Sequence, residues 1–497
     1  MNKKVIFITV DCLRYDRIKA YNPTSYLTPY INKIAEQSII FKNCISNGPT
    51  TAPSFYATFT SSIPDIKNFY APLPESKNTL AEYLQRKNIT TCGIHSNPHL
   101  GQYCNYDKGF DEYYDIFINP KIDSLTKIKK KILRRLNIFL NNFGLAEKKE
   151  FVKKLIFKRF GKKAGSSKTS KPLESPYANA SLIINETINW LESNKKKQFF
   201  LWIHFMDAHM PYNPPNKYIE KLTKNLDSLN SAIDVKDLNK KFHKFRDNAK
   251  KVNLSDRESI KLLYDAEVSY IDYNIGLLTK YLRKSGLYEN TLIILSADHG
   301  ESHFEHNFIG HRASLYDVLL KIPLIFKFHK SAKIKPQVID KQVQALDIAP
   351  TIINYYDLKK NSDFAGKSLI PLLENNERSD KYPDYVISAV LQNNNRDITA
   401  FTDPSTKSYK RLSCRTLNWK LIYDEEKNEF ELYNLKRDPS EENDLSISND
   451  DKIKDIKQFL QNKIDCLISD RERSLEMQKI KEVIKKDFFK LDFSKKI

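Results

Sequence analysis

Three short apolar runs, each ending at a polar side chain, limit the chain to one fold class. They cover residues 5–10, 199–206 and 291–296. Their length and their content of β-branched and aromatic residues are typical of strands buried on both faces of a parallel sheet. Predicted helices separate them, over residues 28–40, 177–193 and 256–284. Strands that alternate with helices predict an α/β fold, with a mostly parallel central sheet flanked by helices.

Acidic and imidazole side chains follow these strands directly. Asp11 follows the first strand, Asp207 and His209 follow the second, and Asp298 and His299 follow the third. In a parallel sheet, ligands bind beyond the carboxyl ends of the strands. Carboxylate and imidazole groups together favour a divalent metal site at that edge.

A hydroxyl-rich turn at residues 48–54 precedes a predicted helix. A hydroxyl at a helix N-terminus beside a metal is suited to act as a nucleophile, because the metal activates it and backbone N–H groups hold the anion under attack. An isolated motif of this kind is more often a helix cap. The order of all these motifs along one α/β chain favours the catalytic interpretation.

The chain divides into a catalytic α/β domain at 1–375 and a C-terminal subdomain at 376–497. The subdomain is predicted to contain antiparallel strands followed by helices. The predicted strands cover 385–391, 409–414, 419–423 and 429–433, and two final helical stretches cover 450–468 and 470–490. The first domain carries a basic helical insertion at about 121–171 and a polar one at about 218–255.

Most of the chain's net charge of +20 lies in the basic insertion, where 17 Lys or Arg residues face three acidic ones between 121 and 171. Its apolar residues recur at helical spacing, which suits an anionic membrane surface or packing on the protein's own body. Binding to anionic but not neutral vesicles tests the membrane interpretation. No nucleic-acid-binding signature accompanies the charge. Without an export signal or an apolar run long enough to span a membrane, the predicted location is cytoplasmic, with a peripheral membrane association left open.

Blocks spread nearly from end to end resemble the sulfatase branch of the alkaline phosphatase superfamily. The matching blocks are an opening metal motif at residues 10–16, a nucleophile turn at 51–54, a His-x-Pro block at 204–212 and a second metal motif at 296–311. C-terminal landmarks follow at 347–351, 366–369 and 431–439. The resemblance implies an alkaline-phosphatase-like fold with a smaller C-terminal antiparallel subdomain.

Several positions depart from the pattern of family sulfatases. These enzymes have Cys or Ser, converted to formylglycine, at the position of Thr51, and Arg at the position of Phe55. Cys12 replaces the second Asp of the opening motif, His311 stands where a Lys is expected, and residues 94–95 lack another expected Lys. With these departures, the sequence resembles the phosphodiesterase and the phosphoglycerol- or phosphoethanolamine-transferase relatives of the sulfatases, which use an unmodified Thr nucleophile.

The resemblance also implies a set of site residues. The implied ligands of a divalent metal (Zn²⁺, Mn²⁺, Ca²⁺ or Mg²⁺, as one or two ions) are Asp11, Thr51, Asp298 and His299. Thr51 is the implied nucleophile, with His209 and His311 stabilising the transferred group, protonating the leaving group or binding a second metal. For Arg14, Asp207 and Glu301, structural and functional roles remain equally open.

The resulting hypothesis is a metal-dependent hydrolase or transferase that cleaves a sulfate or phosphate ester of a glycan or lipid head group. A phosphodiester is favoured because the nucleophile position is Thr. The alternative is a catalytically silent anion-binding protein of the same fold, which would bind anions tightly without turnover.

Overall fold

A computed structural model describes residues 2–64, 72–116, 177–224, 233–332, 334–373, 383–393 and 408–490. The basic insertion at 121–171 lies outside the described residues, and so does the boundary expected at 375–376. Within the described part of the chain, no helix combines the length and apolarity needed to cross a membrane.

Fifteen strands occur in the described residues. They are β1 (Lys4–Val10), β2 (Ile39–Ile45), β3 (Thr90–His95), β4 (Glu112–Asp115), β5 (Phe199–Phe205), β6 (Leu292–Ala297), β7 (Ser302–His303), β8 (Ile309–Gly310), β9 (Lys321–Ile322), β10 (Leu324–Lys327), β11 (Gln337–Gln344), β12 (Val386–Asn393), β13 (Ser408–Arg415), β14 (Trp419–Asp424) and β15 (Glu429–Asn434).

The central sheet has nine strands, eight of them in the order β11-β2-β10-β6-β1-β5-β3-β4, with β9 paired to β2. From β6 to β4 all neighbours are parallel, and β10 is antiparallel to both β6 and β2. Every residue of β1, β5 and β6 is buried, as continuous apolar runs predict. The predicted mostly parallel α/β fold is confirmed.

Eleven α-helices occur in the described residues. They are α1 (Pro29–Ala35), α2 (Thr51–Thr60), α3 (Leu80–Gln85), α4 (Ala180–Asn194), α5 (Asn216–Thr223), α6 (Val235–Asp247), α7 (Leu254–Lys284), α8 (Asp317–Leu320), α9 (Ile348–Tyr355), α10 (Ile370–Leu373) and α11 (Asp451–Lys490).

Two helix predictions were wrong in extent. The helix expected at 28–40 ends at Ala35, because the apolar residues from Ile39 onward form β2 and pair with β10. The two helical stretches expected at 450–468 and 470–490 form one continuous helix, α11. No proline or glycine occurs between 451 and 490 to interrupt it.

The four C-terminal strands form an antiparallel sheet in the order β12-β13-β14-β15, as predicted. A buried charge cluster joins this sheet to α8. Asp317 of α8 accepts hydrogen bonds from Arg415 of β13 at 2.8 Å and from Lys420 of β14 at 2.8 Å. Glu441 accepts from the Asp317 backbone N–H at 2.6 Å. Because Asp317, Arg415, Lys420 and Glu441 are all buried, these charges compensate one another away from water.

Candidate active site

The register of the sheet brings the predicted acidic residues together. Val10, the last residue of β1, is level with Phe205 of β5 and with Ala297 of β6. The residues that follow, Asp11 and Asp298, therefore leave the sheet side by side, and both are buried.

Asp11 is the most heavily contacted acid of the site. Its Oδ2 accepts a hydrogen bond from the Asn97 side-chain amide at 2.9 Å and lies 3.3 Å from His204 Nε2 and 3.3 Å from Thr51 Oγ1. Burial alone would raise the pKa of Asp11, but the His204 hydrogen bond and the nearby imidazoles of His209 and His299 hold it well below its usual range. Asp11 is therefore ionised at neutral pH.

His299 presents a lone pair to the two carboxylates. Its Nδ1 lies 2.8 Å from the carbonyl oxygen of Gly300, which can only accept, so Nδ1 carries the proton. Nε2 is then unprotonated, and it lies 3.4 Å from Asp298 Oδ2 and 3.9 Å from Asp11 Oδ1. This geometry is that of a metal-ligating imidazole whose tautomer is fixed by a backbone carbonyl.

Asp298 has one satisfied and one unsatisfied oxygen. Oδ1 accepts hydrogen bonds from the backbone N–H groups of His299 at 2.8 Å and Cys12 at 3.2 Å. Oδ2 is buried and has no hydrogen-bond partner among the described residues. Burial first, and then the charge of Asp11, raise the pKa of Asp298 well above its usual range.

These residues fit a divalent cation. Three groups point towards one another: the unpartnered Oδ2 of Asp298, the carboxylate of Asp11 and the lone pair of His299 Nε2. A cation between them would remove the repulsion between these groups. The ligand atoms of Asp11, His204 and Asp298 also lie within 4.8 Å of one another. The charge and the donor atoms both match the predicted metal centre.

Thr51 is the first residue of α2, so the helix N-terminus faces the site. Its Oγ1 lies 3.3 Å from Asp11 Oδ2 and 3.5 Å from His299 Nε2. Ser54 of this helix donates to the carbonyl oxygen of Asp298 at 2.5 Å. Ser46, which follows β2, lies 2.7 Å from that oxygen and 3.0 Å from Ser54 Oγ. The helix that carries Thr51 is therefore held to the backbone of Asp298.

The two histidines predicted to be catalytic border the same space. The rings of His209 and His311 are 5.1 Å apart, and that of His311 is 4.6 Å from His299. His209 Nδ1 lies 2.5 Å from the Met210 carbonyl oxygen, so Nδ1 carries the proton and Nε2 does not. His311 Nδ1 lies 3.4 Å from Glu301 Oε2.

Three further residues at the site were not predicted from the sequence to have a role there. Asn97 binds Asp11, and its backbone N–H donates to Nδ1 of His95 at 3.1 Å. His204 Nδ1 lies 2.9 Å from Thr9 Oγ1, which orients the ring towards Asp11. Burial and the neighbouring His209 lower the pKa of His99 to about 4. Asn97 and His99 follow β3, so the rule that polar residues after a strand form the site would have found them had β3 been predicted.

Several other polar residues near the site have structural contacts. Asp207 caps α4, accepting from Ala180 N–H at 2.8 Å. Arg14 makes a two-point ion pair with Asp16 and also binds the Glu301 carbonyl oxygen and Glu305. His306 stacks on Tyr316 at 3.6 Å. His303 is buried in contact with Tyr212 and Tyr264.

Gly300 keeps the His299 turn close to α8, and a substitution there tests the turn. A Cβ at Gly300 would lie 2.1 Å from the Val318 carbonyl oxygen, which is too close for any side chain. We expect Gly300→Ala to lower the free energy of unfolding by about 2 kcal/mol and to reduce turnover sharply, because His299 must shift. Chemical denaturation and steady-state kinetics measure the two effects.

Gly286→Ala is the matched control for this prediction. Gly286 has φ +70°, and a Cβ there would meet nothing within 4 Å. We expect the control to lose about 1 kcal/mol of stability from backbone strain alone, with unchanged turnover. If Gly300→Ala were as active as this control, the proposed position of His299 would be wrong.

Comparison with known proteins identifies the family. The sulfatase family model matches residues 3–358, and a model of the N-sulphoglucosamine sulphohydrolase C-terminal region matches residues 304–470. A sulfatase of Formosa agariphila is 25% identical over 402 residues, covering 75% of this chain and 73% of that protein. An N-acetylglucosamine-6-O-sulfatase of Bacteroides thetaiotaomicron is 32% identical over 186 residues, which is 37% of this chain and 31% of that protein.

Solved structures show the same fold. A protein in complex with its substrate D-glucosamine-2-N,6-O-disulfate superposes with a TM-score of 0.66 at 18% identity, covering 93% of this chain and 97% of that one. A phosphonate monoester hydrolase of Agrobacterium radiobacter superposes with a TM-score of 0.65 at 17% identity, covering 95% and 96%. From the family match and this shared fold, the chain belongs to the sulfatase family, a family of ester hydrolases within the alkaline phosphatase superfamily.

Proposed function

We propose that the protein is a cation-dependent hydrolase or transferase of a phosphate or sulfate ester, with Thr51 as its nucleophile. The observation that carries this proposal is the position of Thr51 Oγ1, buried at a helix N-terminus, 3.3 Å from Asp11 and 3.5 Å from His299. Similar proteins include both an N-acetylglucosamine-6-O-sulfatase and a phosphonate monoester hydrolase, so either ester class is compatible with the fold.

A phosphodiester is favoured by the chemistry of threonine. Attack by Thr51 Oγ1 forms a bond to phosphorus or sulfur and breaks the bond to the leaving oxygen. The covalent Thr ester has no second hydroxyl on Cβ to expel the group, so water or an acceptor hydroxyl must attack the phosphorus or sulfur. This two-step displacement serves phosphodiester hydrolysis and phospho-group transfer equally. We propose a glycan or lipid head group as the carrier of the ester.

Other residues of the site are proposed to bind the cation and the oxygens of the group under attack. Asp11, Asp298 and His299 would hold the cation, which when bound supplies charge neutralisation and polarisation at the reacting oxygens. The backbone N–H groups of Thr51 and Ala52, at the start of α2, are placed to bind the oxygens of the group under attack.

His209 is the proposed proton carrier. A ring nitrogen of His209 lies within 4.8 Å of ligand atoms of Asp11 and Cys12, and the Met210 carbonyl leaves Nε2 as the unprotonated nitrogen. Burial lowers the pKa of His209, so the ring is neutral at pH 7 and can accept a proton. We propose that Nε2 takes the proton of the Thr51 hydroxyl and passes it to the leaving oxygen. In the second step Nε2 accepts a proton from the incoming water or alcohol and returns it to Thr51 Oγ1 as the bond from that oxygen to phosphorus or sulfur breaks.

His311 has a different proposed role. Its Nδ1 lies 3.5 Å from Cys12 Sγ and 3.4 Å from Glu301 Oε2. We assign it to cation binding and positioning rather than to proton transfer.

Trapping the intermediate tests the proposal. The protein is incubated with a paired aryl phosphodiester and aryl sulfate, quenched in acid and digested. A mass increase on the peptide that contains Thr51 is expected, and its size identifies phosphoryl or sulfuryl transfer. Turnover without any adduct on Thr51 would overturn the nucleophile assignment. Tight anion binding without turnover of either compound would favour the silent binding protein.

A further inference from the structure

Cys12 occupies a constrained position at the centre of the site. Its thiol is fully buried, with Sγ 3.0 Å from Asp11 Oδ1 and 3.5 Å from His311 Nδ1. Its backbone has φ +61°, a left-handed conformation that costs a non-glycine residue free energy. Two contacts hold this conformation: Tyr264 donates to the Cys12 carbonyl oxygen at 2.8 Å, and the Cys12 N–H donates to Asp298 at 3.2 Å.

The thiol is part of a set of soft donor atoms. Ligand atoms of Cys12, His299 and His311 lie within 4.8 Å of one another, and this set lies beside the carboxylates of Asp11 and Asp298. Thiolate and imidazole ligands favour Zn²⁺ and similar borderline cations, whereas Ca²⁺ and Mg²⁺ favour sites built of oxygen alone.

We propose that Cys12 is a metal ligand and that it makes the centre selective for a thiophilic dication such as Zn²⁺ over Ca²⁺ and Mg²⁺. On binding, the thiol releases its proton to solvent and the sulfur–metal bond forms. The inference deepens the proposed function, because it concerns the same cation, but it does not depend on which ester is cleaved.

The alternative role for Cys12 is that of a hydrogen-bond donor to Asp11. A hydroxyl can make the same hydrogen bond, so Cys12→Ser preserves that role while it removes the sulfur ligand. Cys12→Asp instead supplies a hard carboxylate oxygen at the same place. Cys92→Ser is the matched control, because Cys92 is another fully buried cysteine, in the middle of β3.

Two spectroscopic measurements on the full chain identify the ligand. The zinc-loaded wild-type protein is expected to show one sulfur neighbour per zinc by X-ray absorption, a result that needs no variant to fold. The cobalt-loaded wild-type protein and Cys92→Ser are expected to show a near-ultraviolet thiolate-to-cobalt charge-transfer band that Cys12→Ser lacks. A zinc shell of nitrogen and oxygen alone, or a band that survives in Cys12→Ser, would overturn the proposal.

Selectivity is measured by dialysis of the metal-free proteins against mixtures of Zn²⁺ and Ca²⁺, with bound metal determined by mass spectrometry. We expect Cys12→Asp to shift the ratio towards Ca²⁺ by about tenfold or more and Cys92→Ser to leave it unchanged. An unchanged ratio in Cys12→Asp would contradict the assignment. These readouts are distinct from turnover and from the Thr51 adduct, so failure here leaves the proposed reaction separately testable.

Discussion

Thr51→Ala is expected to lower kcat/KM for the ester by at least about three orders of magnitude, because it removes the attacking oxygen itself. Binding of the ester should persist, since Asp11, His299 and the α2 N-terminus remain. Steady-state kinetics on the metal-loaded protein, together with calorimetric binding of a non-hydrolysable anion, separate the two quantities.

Two further variants make this expectation specific. Thr51→Ser keeps a hydroxyl at the same place and should retain measurable turnover together with the covalent adduct. Thr58→Ala removes an equally buried threonine of the same helix and should stay within about twofold of wild type. Full activity in Thr51→Ala would mean that another group attacks the ester, and the proposed function would need a different nucleophile.

The second large effect concerns stability. Asp317→Asn is expected to lower the free energy of unfolding by about 3–5 kcal/mol, because Arg415 and Lys420 would remain buried with too little opposing charge. Urea denaturation followed by far-ultraviolet circular dichroism measures the loss. Asp237→Asn is the control, since the Asp237–Lys241 pair lies half exposed on α6 and should contribute less than about 1 kcal/mol.

The pKa of Asp317 determines how the difference in unfolding free energy between wild type and Asp317→Asn depends on pH. Burial would raise the pKa of Asp317, but Arg415 and Lys420 outweigh it and hold the pKa well below its usual range. A carboxyl with a depressed folded pKa stabilises the fold above the unfolded value of about 3.9 and loses that contribution as the pH falls through the folded value. The contribution of Asp317 itself should therefore persist from pH 7 to about pH 5. Burial and the charge of Asp317 raise the pKa of Glu441 to about 7, so protonation of Glu441 in this interval should widen the stability gap between wild type and Asp317→Asn rather than close it. A gap that closed within that interval would contradict the ionised cluster.

The buried centre of the fold was predictable because its pattern is strong. β1, β5 and β6 are buried on both faces, so their sequences are continuous apolar runs whose ends were predicted to within one residue. Asp11 and Asp298 then follow from the rule that polar residues after such strands share an edge. The family resemblance added the position of Thr51, which its sequence context alone would assign to a helix cap.

The features that were not predicted from the sequence depend on contacts between residues far apart in the chain. β3 has a weak strand pattern because Gly93 interrupts it, and the structure shows why that glycine is there: a Cβ would lie 2.6 Å from the Tyr113 ring. Asn97 and His99 were missed with that strand. Asp207 follows a strand just as the proposed ligands Asp11 and Asp298 do, yet it caps a helix that begins 27 positions earlier in the chain.

The contacts that Ser54 of α2 and Ser46, after β2, make with the Asp298 carbonyl oxygen have a consequence for sequence tolerance. Because both contacts meet at one main-chain oxygen, substitutions in the surrounding surface segments should leave the spacing between Thr51 and Asp298 unchanged. These segments can therefore vary in sequence without moving the proposed nucleophile.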